Sequence, residues 1–256
     1  MIEYEKFKEL IYKKTGINLT YYKERQMKRR IDSLIKRNNY NNYEDYFCAI
    51  DKDKVLFNEF INYLTINVSE FYRNPNQWEI LKNDLLPNLL KNNGNLKVWS
   101  AACSTGEEPY SLAMILSDLI PLGQIKVLAT DIDKDALQKA KLGVYSKKSL
   151  ENVPSDKVNK FFVKVGDSYR ISEDIKKCIE FSHHNLLSDK YPEKCDLIVC
   201  RNVMIYFTEE SKEIMYKKFH EALKENGILF VGSTEQIILP NRYKFSPLRT
   251  FFYQKA

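Results

Sequence analysis

The sequence lacks the features that mark several common protein classes. No apolar run is long enough to cross a bilayer, and the first ten residues, MIEYEKFKEL, have no apolar core of a secretion signal. The five cysteines form no C-x-x-C pair, and the three histidines show no metal-ligand spacing. We therefore expect a cytoplasmic protein with free thiols and no bound metal.

Glycine is also scarce, with eight in 256 residues. The stretch VWSAACSTGEEPYS predicts a buried strand, a tight turn and the start of a helix, but it contains only Gly106. Loops of this kind that bind dinucleotides usually carry three glycines. Glu107 and Glu108 stand where a pyrophosphate would lie, and they would repel it. The loop therefore favours a ligand that is cationic at this point.

What the sequence does contain is a core and an uneven charge. Hydrophobic residues make up 44% of the chain and aromatic residues 13%, which is enough for a small domain joined to a medium one. Residues 1–40 hold eleven Lys and Arg against five Asp and Glu, a difference of +6 that equals the net charge of the whole chain. The N-terminal part is thus cationic, and it predicts an acidic partner, either nucleic acid or an acidic protein surface.

The apolar pattern divides the chain. Residues 1–65 show helical spacing, residues 66–74 a linker, and residues 75–256 strands alternating with helices. Continuous apolar strands separated by helices indicate an α/β fold with a parallel sheet covered on both faces. One segment near residues 161–172, FFVKVGDSYRI, alternates around a Gly-Asp turn and predicts a small inserted hairpin.

Polar residues follow several predicted strands at the edge where ligands of open α/β sheets bind. Asp131 stands about 20 residues after the loop, where a carboxylate can accept both ribose hydroxyls. The alternative is that Asp131 or Asp133 only caps the helix starting near Lys134. A ligand with a ribose, a base and a cationic group matches this pattern, and S-adenosylmethionine is such a molecule.

Five stretches in chain order, NVSEFYRNP, SAACSTGEEPYS, ATDID, NLL and CRNVMIYF, resemble those of the CheR-type chemotaxis receptor methyltransferases. Members of this family use S-adenosylmethionine to esterify glutamate side chains of bacterial chemoreceptors. The resemblance covers nearly the whole chain. It implies a Rossmann-like methyltransferase domain with a small inserted β subdomain, preceded by a small all-α N-terminal domain.

The resemblance also implies a set of cofactor-binding residues. Asn67, Ser69 and Arg73 would close over the cofactor from the linker, with Arg73 pairing its carboxylate; the family usually has Thr where this chain has Ser69. Glu107 would meet the ammonium group, with Glu108 as the open alternative. The remaining contacts are Asp131 with the ribose, Asn185 and Leu186 with the adenine, and backbone contacts from Cys200 and Arg201.

For the reaction, the resemblance implies attack of a glutamate carboxylate on the sulfonium methyl. Free glutamate has a pKa of about 4.3, so the acceptor is already ionised and needs no general base. Tyr206 is the candidate that orients the acceptor carboxylate, although it could equally be a partly buried aromatic residue. Arg73 could hold the acceptor carboxylate instead of the cofactor's, and the sequence leaves this choice open.

Partner surfaces are predicted at two places. The basic helix face formed by Arg25, Lys28, Arg29 and Lys36 would attract the glutamate-rich methylation helices of a receptor, unless it is an ordinary solvated face. In the family the β subdomain can bind a receptor's C-terminal peptide, and whether this chain does so stays open. We expect a monomer that binds no nucleic acid. The alternatives are a methyltransferase acting on RNA or a small molecule, and a non-catalytic module that senses the cofactor.

Overall fold

The computed structural model describes residues 2–256, apart from the side chains of Asn92 and Asn93, and the chain forms two compact units. One unit contains the chain up to Asn67 together with Val203–Ile214, and the other contains Val68–Asn202 and Met215–Ala256. The sequence predicts Val203–Ile214 in the α/β domain. The segment groups with the helical unit because its backbone bonds there: Thr208 N donates to Tyr21 O at 2.9 Å.

The helical unit contains α1 (Tyr4–Thr15), α2 (Glu24–Arg37), α3 (Tyr43–Lys52) and α4 (Lys54–Thr65). Asn42 caps α3 by accepting from Asp45 N, and Asp53 caps α4 by accepting from Val55 N and Leu56 N. The apolar stripe of each helix faces one core. Its fully buried members include Phe7, Ile11, Ile31, Tyr46 and Phe60.

The α/β unit begins with α5 (Pro75–Ile80) and α6 (Leu86–Asn93), joined by a π-helical stretch over Leu81–Leu85. The spacing of Trp78, Leu81 and Leu85 predicts a single helix from Pro75 to about Leu90. Pro87 has no N–H to donate to the preceding turn, which accounts for the wider turn before it. The later helices are α7 (Glu107–Leu116), α8 (Lys134–Leu142), α9 (Ser155–Phe161), α10 (Glu173–Lys176) and α11 (Glu209–Ala222), the last of which starts in the Val203–Ile214 segment.

The large sheet has seven strands. They are β1 (Val98–Ala101), β2 (Val127–Asp131), β6 (Ile179–His183), β7 (Cys195–Cys200), β8 (Leu223–Val231), β9 (Phe245–Arg249) and β10 (Phe252–Lys255). Their order is β6-β2-β1-β7-β8-β10-β9, in which the first five are parallel and the closing β9–β10 hairpin is antiparallel. The predicted α/β fold is confirmed, and strand order reverses between β1 and β7, where ligands of such sheets bind.

A second sheet of three strands lies within the α/β unit. It consists of β3 (Val144–Ser146), β4 (Phe162–Val165) and β5 (Ser168–Ile171), in the order β3-β5-β4. The β4–β5 hairpin is the one the sequence predicts. The sequence does not predict β3, because three residues are too few to show an alternating pattern.

Two smaller expectations concern thiols and membranes. Cys103, Cys178, Cys195 and Cys200 are buried free thiols, as predicted, while the free Cys48 is exposed. Over residues 2–256, no helix combines the length and the hydropathy that a membrane span needs.

Candidate functional site

The predicted site residues of the α/β unit lie where its parallel strands end. Ala101, Asp131 and Cys200 are the last residues of β1, β2 and β7, which are neighbours in the sheet. Asn185 and Leu186 follow β6, and His184 N donates to Asp131 O at 2.9 Å, which ties that turn to the end of β2. The carboxyl ends of four strands, with the polar residues at or after them, therefore lie at one edge of the sheet.

The loop between β1 and α7 bends through residues that are mostly not glycine. Ala102 (φ 66°) and Ser104 (φ 48°) adopt left-handed backbone conformations, as does Gly106 (φ 96°). Only Gly106 is sterically required to be glycine, because a Cβ there would lie 2.9 Å from Ala140 Cβ and 3.1 Å from Tyr145 Oη. One glycine is therefore sufficient for this turn.

Asp131 is held in a fixed orientation by the backbone. Its Oδ2 accepts from Ser104 N at 2.7 Å and its Oδ1 from Asp133 N at 2.9 Å. Burial raises the pKa of Asp131 to about 6, although the backbone N–H groups oppose that shift. Each carboxylate oxygen can accept a second hydrogen bond, as binding to a pair of hydroxyls requires.

The alternative prediction for this strand end is a helix cap, and the residue that caps the helix is Asp133. Asp133 Oδ1 accepts from Asp135 N at 2.8 Å and from Ala136 N at 3.0 Å at the start of α8. Asp131 therefore does not cap α8, and its carboxylate serves the loop between β1 and α7 instead.

Two carboxylates follow one another in the sequence at the start of α7. Glu107 is buried, and its Oε2 accepts from Thr105 Oγ1 at 2.7 Å; burial raises its pKa. Glu108 Oε1 accepts from Ser100 Oγ at 2.8 Å, and burial raises its pKa to about 7 despite the nearby positive charges of Arg201 and Arg73. A cation bound beside either group would reduce the cost of ionising it.

The linker is fastened to this site at several points. Ser69 hydrogen bonds through its side chain with Glu107, and Tyr72 N donates to Ser111 Oγ at 3.0 Å. Phe71 packs edge-on against two rings of the small sheet, with its centroid 4.8 Å from that of Tyr145 and 5.5 Å from that of Phe162. The linker thus joins α7 to the small sheet. Phe71 lies between the predicted site residues Ser69 and Arg73 but is not itself among the residues predicted from the sequence.

Arg201 does more than the predicted backbone contact. Its side chain is buried, and Nη2 donates to Arg73 O at 2.8 Å, to Asn74 Oδ1 at 3.0 Å and to Gln77 Oε1 at 2.8 Å. The guanidinium carbon also lies 4.6 Å from the ring centroid of Phe230. The end of β7 thereby holds the backbone from which the Arg73 side chain extends.

Asn185 and Leu186 form a compact turn. Asn185 Oδ1 accepts from Leu187 N at 3.0 Å, and Asn185 N donates to Asp189 Oδ2 at 2.9 Å. Leu186 is buried, and its carbonyl accepts from Tyr191 Oη at 2.9 Å. The Oδ1 of Asn185 is used within the turn, and its side-chain NH₂ is a hydrogen-bond donor, while the neighbouring Leu186 has an apolar side chain.

The other predicted residues belong to the helical unit. Asn67 Nδ2 donates to Thr65 Oγ1 at 3.1 Å. Tyr206 is half-buried and ends a 3₁₀ turn over Met204–Tyr206, with its carbonyl accepting from Lys23 N at 2.9 Å. The four basic residues of α2 that the sequence predicts as a docking surface are exposed, namely Arg25, Lys28, Arg29 and Lys36. The apolar Met27, Ile31, Leu34 and Ile35 of the same helix are buried.

One buried acid at this edge of the sheet is absent from the predictions. Glu235 follows β8, and its Oε2 accepts from Gly232 N at 2.9 Å and from Asn202 N at 2.5 Å. An acid three residues after a glycine at a strand end is a signal that sequence reasoning could have used.

Comparison with known proteins matches both parts of the chain to one family. Residues 2–65 match the family domain described as "CheR methyltransferase, all-alpha domain". Residues 67–252 match the one described as "CheR methyltransferase, SAM binding domain". The two matches together cover nearly the whole chain.

Curated relatives carry the same description. The chain is 44% identical to a chemotaxis protein methyltransferase of Listeria monocytogenes, over 99% of this chain and 97% of the relative. It is 33% identical to one of Borreliella burgdorferi, over 92% and 91% of the two chains. A third, from Escherichia coli, is 31% identical over 91% of this chain and 83% of that protein.

Proposed function

This chain belongs to the CheR family of methyltransferases with S-adenosylmethionine as cofactor, and we propose that it methylates glutamate side-chain carboxylates of chemotaxis receptors. The products would be glutamyl 5-O-methyl esters and S-adenosylhomocysteine. The observation that carries the proposal is the pair of acids that starts α7, Glu107 and Glu108, set beside the oriented Asp131.

The residues at the strand ends fit this cofactor. Glu107 would hold its ammonium group, with Glu108 as the alternative, since burial raises the pKa of both carboxyl groups and a bound cation would favour their ionised forms. Asp131 would accept the two ribose hydroxyls, and Asn185 and Leu186 would bind the adenine. A pyrophosphate in the same place would meet two carboxylates at the helix N-terminus, which disfavours a dinucleotide.

Five further residues complete the proposed contacts. Arg73 would pair the carboxylate of the cofactor, with Asn67 and Ser69 beside it on the linker. Cys200 and Arg201 would add backbone contacts at the end of β7. The side chain of Arg201 supports this arrangement because it fixes the carbonyl of Arg73.

When bound, the cofactor supplies a methyl group that is activated by a sulfonium. The chain must hold an acceptor carboxylate in line with that methyl group and exclude water from it, because opposite charges cancel during transfer. A glutamate with a pKa of about 4.3 is already ionised, so no general base is needed. The hydroxyl of Tyr206 would orient the acceptor carboxylate by donating a hydrogen bond to it.

Two surfaces suit a receptor partner. The exposed basic residues of α2 would attract the acidic methylation helices at long range. Strand β4 lies at an edge of the small sheet and exposes Val163 (62%) and Val165 (44%), as addition of a peptide strand requires. We propose that the protein acts as a monomer in the cytoplasm.

The direct test is incubation with radiolabelled S-adenosylmethionine and membranes that contain the cognate receptors. Methyl esters of glutamate are base-labile, so alkali should release volatile label from the receptor band. Transfer to RNA with none to receptors would refute the proposal in favour of a nucleic-acid methyltransferase. Binding of S-adenosylhomocysteine without any transfer would instead identify a cofactor-sensing module.

A further inference from the structure

The turn after β8 places a buried carboxylate between two strand ends. Glu235 is 6% exposed, and a single oxygen, Oε2, accepts from Gly232 N at 2.9 Å and from Asn202 N at 2.5 Å. Glu235 N donates in turn to Gly232 O at 3.0 Å. The side chain therefore connects the residue that follows β8 to the second residue after β7.

Gly232 allows this close approach. A Cβ at that position would lie 2.5 Å from Glu235 Oε2 and 2.8 Å from Asn202 N. Asn202 has a left-handed backbone with φ 61°, a conformation that asparagine adopts more readily than other non-glycine residues. The carboxylate of Glu235 is the acceptor that holds the Asn202 N–H in this conformation.

The turn formed by Arg201 and Asn202, which Glu235 holds, contains one proposed site residue and precedes another. Arg201, immediately before Asn202, fixes the linker carbonyl of Arg73 at 2.8 Å, and Tyr206 follows four residues later. The negative charge of Glu235 also acts on the site, since it adds to the raised pKa of Glu108. A displacement of Asn202 would therefore shift the neighbouring Arg201, which binds the linker carbonyl, and also the chain that leads to Tyr206.

We propose that Glu235 is a positioning residue for methyl transfer, which acts by fixing the Arg201–Asn202 turn through the hydrogen bond from Asn202 N. This assignment rests on the proposed function. Glu235 contributes an acceptor oxygen at a defined place, so replacement by an amide that keeps an oxygen there should preserve most of its effect.

The experiment compares Glu235→Ala and Glu235→Gln with the wild-type protein. The affinity and stoichiometry of S-adenosylhomocysteine binding come from calorimetry, and kcat and KM from methylation of receptor membranes. We expect Glu235→Ala to lower kcat about tenfold or more per cofactor-binding molecule, with the Kd changed less than about threefold. Glu235→Gln should keep kcat within about threefold of wild type.

Asp196 provides a matched control. It is also a buried carboxylate that accepts from a backbone N–H, that of Lys97 at 2.7 Å, but it lies near the amino end of β7. Asp196→Ala, which removes the acceptor as Glu235→Ala does, should lower the unfolding temperature while leaving kcat per cofactor-binding molecule unchanged. If Glu235→Ala does not fold, Glu235→Asp, whose side chain is one carbon shorter, should show the same loss of kcat.

Several outcomes would overturn the assignment. One is a Glu235→Ala protein in which lost activity only parallels lost binding stoichiometry, because that is the pattern of a purely structural residue. A second is Glu235→Gln as inactive as Glu235→Ala, and a third is an equal loss of kcat in Asp196→Ala. If the wild-type protein binds S-adenosylhomocysteine but transfers no methyl group, the proposed function fails first and this assignment with it.

Discussion

Arg201 and Arg73, 128 residues apart in the sequence, are joined by a hydrogen bond of 2.8 Å from the guanidinium Nη2 of the first to the carbonyl of the second. The same carbonyl accepts from Trp78 Nε1 at 2.9 Å. Two buried donors on separate elements thus fix one linker carbonyl. The direction in which the Arg73 side chain leaves the backbone is set by the end of β7.

Replacing Arg201 by lysine should therefore weaken cofactor binding. A lysine ammonium retains the charge but lacks the flat guanidinium that lies over the rings of Trp78 and Phe230 while its Nη2 donates to Arg73 O. We expect the Kd for S-adenosylhomocysteine, measured by calorimetry, to rise about tenfold. Arg249→Lys, at an exposed arginine of the same unit, should leave the Kd unchanged. An unaltered Kd in folded Arg201→Lys would contradict the role of this clamp.

Arg73 itself has two candidate roles that one variant separates. If Arg73 pairs the cofactor carboxylate, Arg73→Ala should raise the Kd for S-adenosylhomocysteine by about tenfold or more, because a charge-assisted hydrogen bond is lost. If it holds the acceptor carboxylate, the Kd should stay constant while the KM for receptor rises. Calorimetry and receptor titration on the same preparation decide between them, and we expect the first result.

Tyr206→Phe tests the orientation of the acceptor. Loss of one hydroxyl that aligns the carboxylate should lower kcat about tenfold while the cofactor Kd changes less than about twofold. Tyr12→Phe, which removes a hydroxyl from an exposed tyrosine of the same unit, is the control and should leave kcat unchanged. Turnover at the wild-type rate in Tyr206→Phe would remove this residue from the mechanism.

Cofactor binding should depend on pH in a predictable direction. The pKa of Asp131 is about 6 and that of Glu108 about 7, so both carboxylates gain negative charge between pH 5.5 and 8. Affinity for the cationic cofactor should rise over this interval by about tenfold or more, which calorimetry at several pH values would measure. Glu108→Gln should flatten the upper part of the profile. An affinity that is constant from pH 5.5 to 8 would contradict this assignment.

The free energy of unfolding of the ligand-free protein should decrease over the same pH interval in which cofactor affinity rises. Both acids have folded pKa values raised above their usual values, so the folded state holds these protons more tightly than the unfolded state. Their stabilising contribution to the free energy of unfolding is complete below about pH 4 and is lost as the pH rises through about 6 to 7. The unfolding temperature of Glu108→Gln relative to wild type should therefore increase from pH 5 to pH 8, as calorimetric melts would show.

Charge reversal on α2 tests the docking surface. Arg25→Glu combined with Arg29→Glu should raise the KM for receptor membranes about tenfold at low ionic strength and much less at high salt. The cofactor Kd should not change. Lys52→Glu combined with Lys54→Glu reverses two exposed charges elsewhere in the helical unit and is the matched control. Equal effects of the two double variants would indicate non-specific attraction.

Much of the fold is predictable from this sequence because its signals are local. Apolar runs such as Cys195–Cys200 give fully buried strands, and the spacing of Met27, Ile31 and Leu34 gives an amphipathic helix. The three-residue β3 has no such signal. The grouping of Val203–Ile214 with the helical unit depends on backbone hydrogen bonds to Tyr21 and Lys23, which no local pattern records.

In the candidate site, the positions of the residues can be predicted from the sequence, but their hydrogen-bond partners cannot. Asp131, Asn185 and Arg201 stand at strand ends, which the sequence predicts from strand periodicity alone. The partner of a side chain is a different matter, because it depends on which strands become neighbours. The bond from Arg201 to Gln77 and the bond from Asn202 to Glu235 each join distant parts of the chain, so they emerge only from the folded arrangement.

The left-handed Ala102 and Ser104 in the loop after β1 have a thermodynamic consequence. Each costs on the order of 1 kcal/mol in a conformation that glycine adopts freely. Glycines would make the loop easier to form but would also give it many conformations, whose entropy a ligand would have to remove. The shortage of glycine therefore preorganises the loop. The cost of its strained backbone is part of the free energy of folding, so cofactor binding does not incur that cost again at each turnover.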